Sequence, residues 1–302
     1  MAGAALTAVG GVALAVQGRV NGQLGHVMRD GVFAALISFG IGTVLLVAAV
    51  SITPSARAGL IRLRTSVRGG RLRPWQCLGG ACGAFLVTSQ GFTVSILGVA
   101  VFTVAVVAGQ VVASLAVDRA GLGPGEAQPI TLPRAVGALL AVVAVVIAVS
   151  DHAAVEAGGL WWALLPAVAG LGLAWQTAVN GLVRVEAGNI VVPTLVNFSV
   201  GTGVLIIAAL VDLAVKGVPD APPGEWWYYV GGLLGMVAIL TAVTAVRFTG
   251  VLLLGLSSVA GQLTGAVLLD VFLPTAGGGL STTSLIGTAI TMVAVGIAAI
   301  RR

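Results

Sequence analysis

From Pro74 to Val117 the chain runs for forty-odd residues without one charged side chain, and most of them are apolar. As a single helix this run would be about twice as long as the ~30 Å of hydrocarbon in a bilayer. It is also too oily to lie in water. It therefore predicts two spanning helices folded back on each other, with a tight turn near Gly98. A second such run, from Tyr228 to Leu269, carries only Arg247 and has Gly250 as the counterpart of Gly98.

Composition extends this reading to the whole chain. Of 302 residues, 58% are hydrophobic and only 8% are charged, with a mean hydropathy of +1.09. Soluble domains carry about 25% charge, so the chain reads as an all-α integral membrane protein. Ten apolar runs are long enough to span, near 3–24, 32–53, 74–95, 98–118, 133–150, 160–183, 191–212, 227–247, 250–270 and 284–300. The first lacks a basic leader and predicts a retained helix rather than a cleaved signal. The pI near 10.2 does not indicate nucleic acid, because the arginines gather between apolar runs. Cys77 and Cys82 are five apart, about 140° around a helix, and do not pair with each other. His26 and His152 lie far from both, so no metal set and no cofactor are expected.

Six arginines, from Arg57 to Arg73, sit between the second and third runs and place that loop in the cytoplasm. Alternation then puts both termini inside. The same side collects Arg119, Arg134, Arg184, Arg247, Arg301 and Arg302, and the other side only Arg19, Arg29 and Lys216. Aromatic pairs at Trp161–Trp162 and Trp226–Tyr229 fit the outer interface, and Trp75 the inner one.

The sequence is also written twice. "LAVQGRVNG" at 14–22 returns as "LAWQTAVNG" at 173–181, and "SFGIGT" at 38–43 as "NFSVGT" at 197–202, both displaced by 159 positions. "GGACG" at 79–83 answers "GGLLG" at 231–235. Gly98, Gly109, Gln110 and Asp118 then answer Gly250, Gly261, Gln262 and Asp270. Each copy holds five spans, an odd number, so the second copy enters the membrane upside down. The expected architecture is two inverted five-helix repeats, residues 1–153 and 154–302, with a polar site between them.

The Q-x-x-x-N-G pattern of the first run, "PWQCLGGACGAF" at the third and GQ-x7-D in the fourth resemble the YdcZ-like bacterial inner-membrane exporters of the drug/metabolite transporter superfamily. The resemblance covers essentially the whole chain, in a fused two-unit form. It implies a ten-helix fold whose cavity is lined by helices 1–4 and 6–9, with helices 5 and 10 peripheral. Small multidrug-resistance relatives carry a helix-1 glutamate for proton-coupled export. This sequence has no carboxylate in helix 1 or helix 6.

Scarce polar residues inside spans mark the candidate site. Gln17 and Asn21 share one helix face, as do Gln176 and Asn180 in the second copy, and Gln110 and Gln262 lie near mid-depth. Trp175 offers an aromatic wall. Asp118 and Asp270 stand at opposite mouths as gating or coupling groups. Gln90, Thr88, Ser89 and Asn197 are weaker candidates. Each also has a plain structural reading: amides as interhelical glue, Asn21 and Asn180 as caps or turn formers, the aspartates as helix ends, and Arg19 as a snorkelling side chain.

No nucleophile–base pair, zinc motif or phosphate loop is present, which excludes the common enzyme chemistries, and no filter-like segment suggests a channel. The expected function is a secondary transporter, exporting a small neutral, zwitterionic or amphipathic solute by alternating access. The alternative is a non-transporting membrane scaffold. Expected partners are the solute and the lipid bilayer, with no nucleic acid, as a monomer or homodimer.

Overall fold

The computed structural model describes residues 2–155, 159–274 and 281–298, with side chains for 5–148, 150, 161–241, 257–274 and 281–298. Every regular element among the described residues is helical: α1 (Ala2–Met28), α2 (Gly31–Ile52), α3 (Pro54–Arg68), α4 (Gly79–Arg119), α5 (Leu132–Val155), α6 (Gly159–Ala187), α7 (Val191–Lys216), α8 (Gly231–Phe272) and α9 (Thr282–Ala298). Short 3-10 turns at Pro74–Cys77 and Trp226–Tyr229 lead into α4 and α8. Among the described residues, Gly31–Ile52, Pro74–Arg119, Trp161–Ala187 and Val191–Lys216 are long and apolar enough to cross a bilayer. Their outward faces stay oily, with Val44 68%, Ile207 66% and Leu210 62% exposed, as lipid contact requires.

The uncharged run is broken where its length demanded. Gly98 takes φ 78°, ψ 164°, a conformation only glycine adopts without strain, and divides α4 into arms 79–97 and 99–119. The first arm runs antiparallel to α6: Gly79 faces Asn180 and Gly83 faces Gln176. The second arm passes α6 where Gly109 meets Ala167 and Gly170 meets Val106. The described parts of α8 likewise run in opposite senses along α1. Gly231 faces Asn21 and Gly235 faces Gln17, whereas Gly261 faces Ala8 and Gly265 faces Val12. The turn expected at Gly250, and Arg247 beside it, fall among residues 242–256, whose side chains lie outside those described.

Two further pairings are reciprocal. In α2 and α7, the Phe39 ring packs tilted against Phe198 with centroids 4.9 Å apart. The Thr43 and Thr202 hydroxyls, 159 positions apart in sequence, bond at 2.7 Å. In α5 and α9, Gly137 packs on Ala294 and Ala298, and Gly287 on Ala144 and Ala148, so these helices are antiparallel. They pack together on one flank, with Leu139, Val146, Ile286 and Val293 exposed. Small residues at these crossings let backbones approach closely, the main source of helix adhesion where water supplies no driving force.

The loops sort to two ends. Arg57 to Arg73 lie at one end with the helix ends at Arg119, Leu132 and Ala187; Asp30, the Gly98 turn, Lys216 and Pro274 lie at the other. One element is unexpected. The segment read as a basic loop is helical from Pro54, a proline at the first helical turn, to Arg68. Its buried stripe, Ala56, Gly59, Leu63 and Ser66, packs where α6 passes into α7. The density of arginine hides this short apolar pattern in the sequence.

Candidate functional site

The candidate amides do not converge on one point. Four of the six fall into two clusters, each at a glycine-lined crossing. In the first, Asn21 Nδ2 donates to Gln90 Oε1 at 2.8 Å, with Asn21 0% and Gln90 3% exposed. Gln17 lies one turn before Asn21, and Ser38 of α2 closes the group. Asn21 Oδ1 and Ser38 Oγ have no hydrogen-bond partner among the described residues. A Cβ added to Gly231 would stand 2.3 Å from Asn21 Oδ1 and 2.8 Å from Ser38 Oγ, and one added to Gly235 2.8 Å from Gln17 Nε2.

The second cluster lies at the α3 end and shares the glycine backing of the first but not its hydrogen bond. Asn180 Nδ2 donates to Asn197 Oδ1 at 3.2 Å, and Gln176 Oε1 has no partner among the described residues. Gly79 and Gly83 back it as Gly231 and Gly235 back the first. Trp175 stacks on Trp75, centroids 6.3 Å apart. Phe39 also reaches this cluster, 3.3 Å from the Cβ position of Gly83. Gln110 and Gln262 lie apart from both. Gln110 is at the α4–α6 crossing, and Gln262 at the α1–α8 crossing within reach of Ser258 Oγ, 3.4 Å away. None of these amides lines the apolar groove between Leu36, Gly40, Val44 and Tyr229 on the flank of α2.

The structure corrects two local readings. Asn21 is neither a cap nor a turn former, because α1 continues to Met28 and its amide bonds across to α4. Arg19 does not snorkel into solvent: it is 9% exposed, donates to the Pro274 carbonyl at 2.9 Å and lies within electrostatic reach of Asp270. Asp270, 4% exposed, accepts the backbone N–H groups of Val99 at 3.0 Å and Ala100 at 2.7 Å. It caps the arm that begins after Gly98, where an anion meets the positive helix end. Asp118 is more open and pairs with Arg134.

The family whose description reads "Putative inner membrane exporter, YdcZ" matches the chain over residues 2–147 and 161–297. The chain belongs to this family. It is accordingly a multi-pass inner-membrane protein of an exporter family, not of an enzyme family. No curated protein matches the chain. The two matched segments begin the same interval apart as the two amide motifs.

This YdcZ-family protein also holds a carboxyl pair that the motifs do not indicate. Asp30, 6% exposed, caps α2 by accepting from Val32 and Phe33 at 2.8 and 3.0 Å. Its carboxyl also lies close enough to that of Asp212 on α7 for the two to act on each other's proton affinity. Asp212 in turn bonds Lys216 at 2.6 Å, and Lys216 stands over the Phe92 ring. Nearby, Arg29 pairs with Asp220 at 3.4 Å on the surface, and His26 is exposed. Burial, then the Asp212 carboxyl, push the Asp30 pKa above its usual range, against the pull of the two N–H groups. A proton is thus bound more tightly in the folded state. Its stabilisation is complete below the ordinary carboxylate pKa of about 4 and is lost as pH rises through the raised value. Melting in detergent from about pH 4 to about pH 8 should show wild type losing stability relative to Asp30→Asn, which keeps the cap; parallel curves would contradict it.

Proposed function

We propose that the protein is a secondary exporter of a small neutral, zwitterionic or amphipathic solute, working by alternating access between two inverted five-helix units, residues 1–153 and 154–302. The observation that carries this reading is the reciprocity of the contacts. Phe39 meets Phe198, Thr43 meets Thr202, Gly137 meets Ala294 as Gly287 meets Ala144, and Gly231 and Gly235 back Asn21 and Gln17 as Gly79 and Gly83 back Asn180 and Gln176. The antiparallel course of α5 and α9 fits a pseudo-twofold axis in the membrane plane, the usual relation between inverted transporter repeats. With the arginine-rich α3 end in the cytoplasm, both termini lie inside.

In this reading the Gln176–Asn180–Asn197 cluster is the half-site nearer the cytoplasm and Gln17–Asn21–Ser38–Gln90 the half-site nearer the exterior. The Phe39–Phe198 pair lies between them. Rocking α2 over α7 moves that pair and opens one half-site at a time. Uncharged amides donate and accept equally, which suits a solute without net charge. Trp175, Gln110 and Gln262 serve as the flanking wall, and Asp118 and Asp270 as anchors of the two mouths.

The test is flux in proteoliposomes screened against metabolites and amphiphiles. For any solute carried by wild type, Gln17→Leu with Gln176→Leu should cut flux roughly tenfold or more, the loss of about two hydrogen bonds, with melting unchanged. Unchanged flux would remove the amides from the path. Folded protein that moves nothing would favour a non-transporting scaffold, with the amides as glue worth about 0.6 kcal/mol each.

A further inference from the structure

We propose that the outward face of α3 is a docking surface for anionic phospholipid headgroups of the cytoplasmic leaflet; its place on that side rests on the orientation stated above. Arg57, Ile61, Arg64 and Arg68 recur at the spacing of one helical face, and all four are exposed, Ile61 by 68%. The buried stripe of Ala56, Gly59, Leu63 and Ser66 occupies a different side.

Two neighbouring arginines are engaged by the protein, and Arg73 is exposed beyond the C-terminal end of α3. Arg62 Nε donates to the Ala187 carbonyl at 2.9 Å, and Arg71 donates to Ser66 Oγ at 3.0 Å beside Glu186. Arg57, Arg64 and Arg68 have no hydrogen bond or ion pair among the described residues, and no Asp or Glu occurs between Asp30 and Asp118. Three positive charges are therefore left without an intramolecular match. The exposed isoleucine among them sets the partner. Guanidinium groups bind phosphate oxygens in pairs, while an apolar side chain inserts beneath them, a combination that fits the headgroup layer. α3 begins directly after α2, whose Ile52 is 82% exposed, so the stripe is held where α2 leaves the hydrocarbon.

The test is lipid retention by the purified full chain in micelles containing equal phosphatidylglycerol and phosphatidylcholine, read by native mass spectrometry. No transport is needed for the measurement. Wild type should retain phosphatidylglycerol selectively. Arg57→Gln with Arg64→Gln and Arg68→Gln should weaken that selectivity by on the order of a hundredfold, roughly fivefold per arginine. Arg57→Glu alone, which leaves the buried stripe intact, should weaken it in the same direction, and Arg29→Gln at the opposite end should not. Equal retention of the two lipids by wild type overturns the proposal. So does unchanged preference in the triple variant, as when the stripe takes an acidic protein, or displacement of the lipid by soluble glycerol phosphate.

Discussion

Asp270→Ala should lower the melting stability of the purified protein by about 2–4 kcal/mol, the cost of removing a buried carboxylate that holds two backbone N–H groups and stands within electrostatic reach of Arg19. Asp270 is 4% exposed and Arg19 9% exposed, so neither charge can recruit water freely. The substitution also strips the acceptor from the Val99 and Ala100 N–H groups at the start of the second arm of α4. Gly98 cannot offset that loss, because its turn is set by the chain reversal and not by a side chain. Asp270→Asn keeps one amide oxygen for the cap and should cost less, about 1–2 kcal/mol. Adding Arg19→Ala to Asp270→Ala should recover part of the loss, since the orphaned cation is then gone; the double-mutant cycle isolates that pairing. An Asp270→Ala melt within about 1 kcal/mol of wild type would mean that the carboxylate acts in gating rather than in holding the turn.

Asp270 also marks how far the sequence could be read. Hydrocarbon thickness sets span length, so the helices and the break at Gly98 follow from charge-free runs alone. The duplicated amides were legible because Gln and Asn are scarce in spans, and the Phe39–Phe198 and Thr43–Thr202 contacts fall at the displacement those motifs define. Partner choice was less legible. Which residue meets Asn21 depends on the rotation of α1 against α4, and it is Gln90, a weaker candidate, with Ser38 of the repeated SFGIGT motif beside it. Asn197, also rated lower, is the partner of Asn180. The carboxyl pair of Asp30 and Asp212 joins residues on α2 and α7 that no local pattern connects. Arg19 looked like a snorkelling residue because its compensating Asp270 is far along the chain and comes close only through tertiary packing.

Gly80→Ala and Gly232→Ala should each cost about 1–3 kcal/mol, and together they should hinder the rocking of α2 over α7 proposed above. A Cβ at Gly80 would lie 2.0 Å from the Asn197 carbonyl and 2.8 Å from the Gly201 nitrogen; one at Gly232 would lie 2.2 Å from the Ser38 carbonyl and 2.8 Å from the Gly42 nitrogen. These are backbone atoms, so no rotamer change relieves the clash and the helices must separate. Gly201 and Gly42 also receive the Phe39 and Phe198 rings, so both substitutions press on the α2–α7 crossing from opposite ends. The Phe39–Phe198 contact couples the two sites, and the double variant should depart from the sum of the singles by more than about 0.5 kcal/mol. Gly40 and Gly203 lie in the same two helices with open space around the Cβ position, so alanine there should cost nothing by clash. If Gly40→Ala and Gly203→Ala melted as low as the crossing variants, helix flexibility rather than close approach would explain the glycines. If the crossing variants melted lower but carried solute at the wild-type rate, α2 and α7 would be a fixed hinge and the moving surface would have to be sought elsewhere.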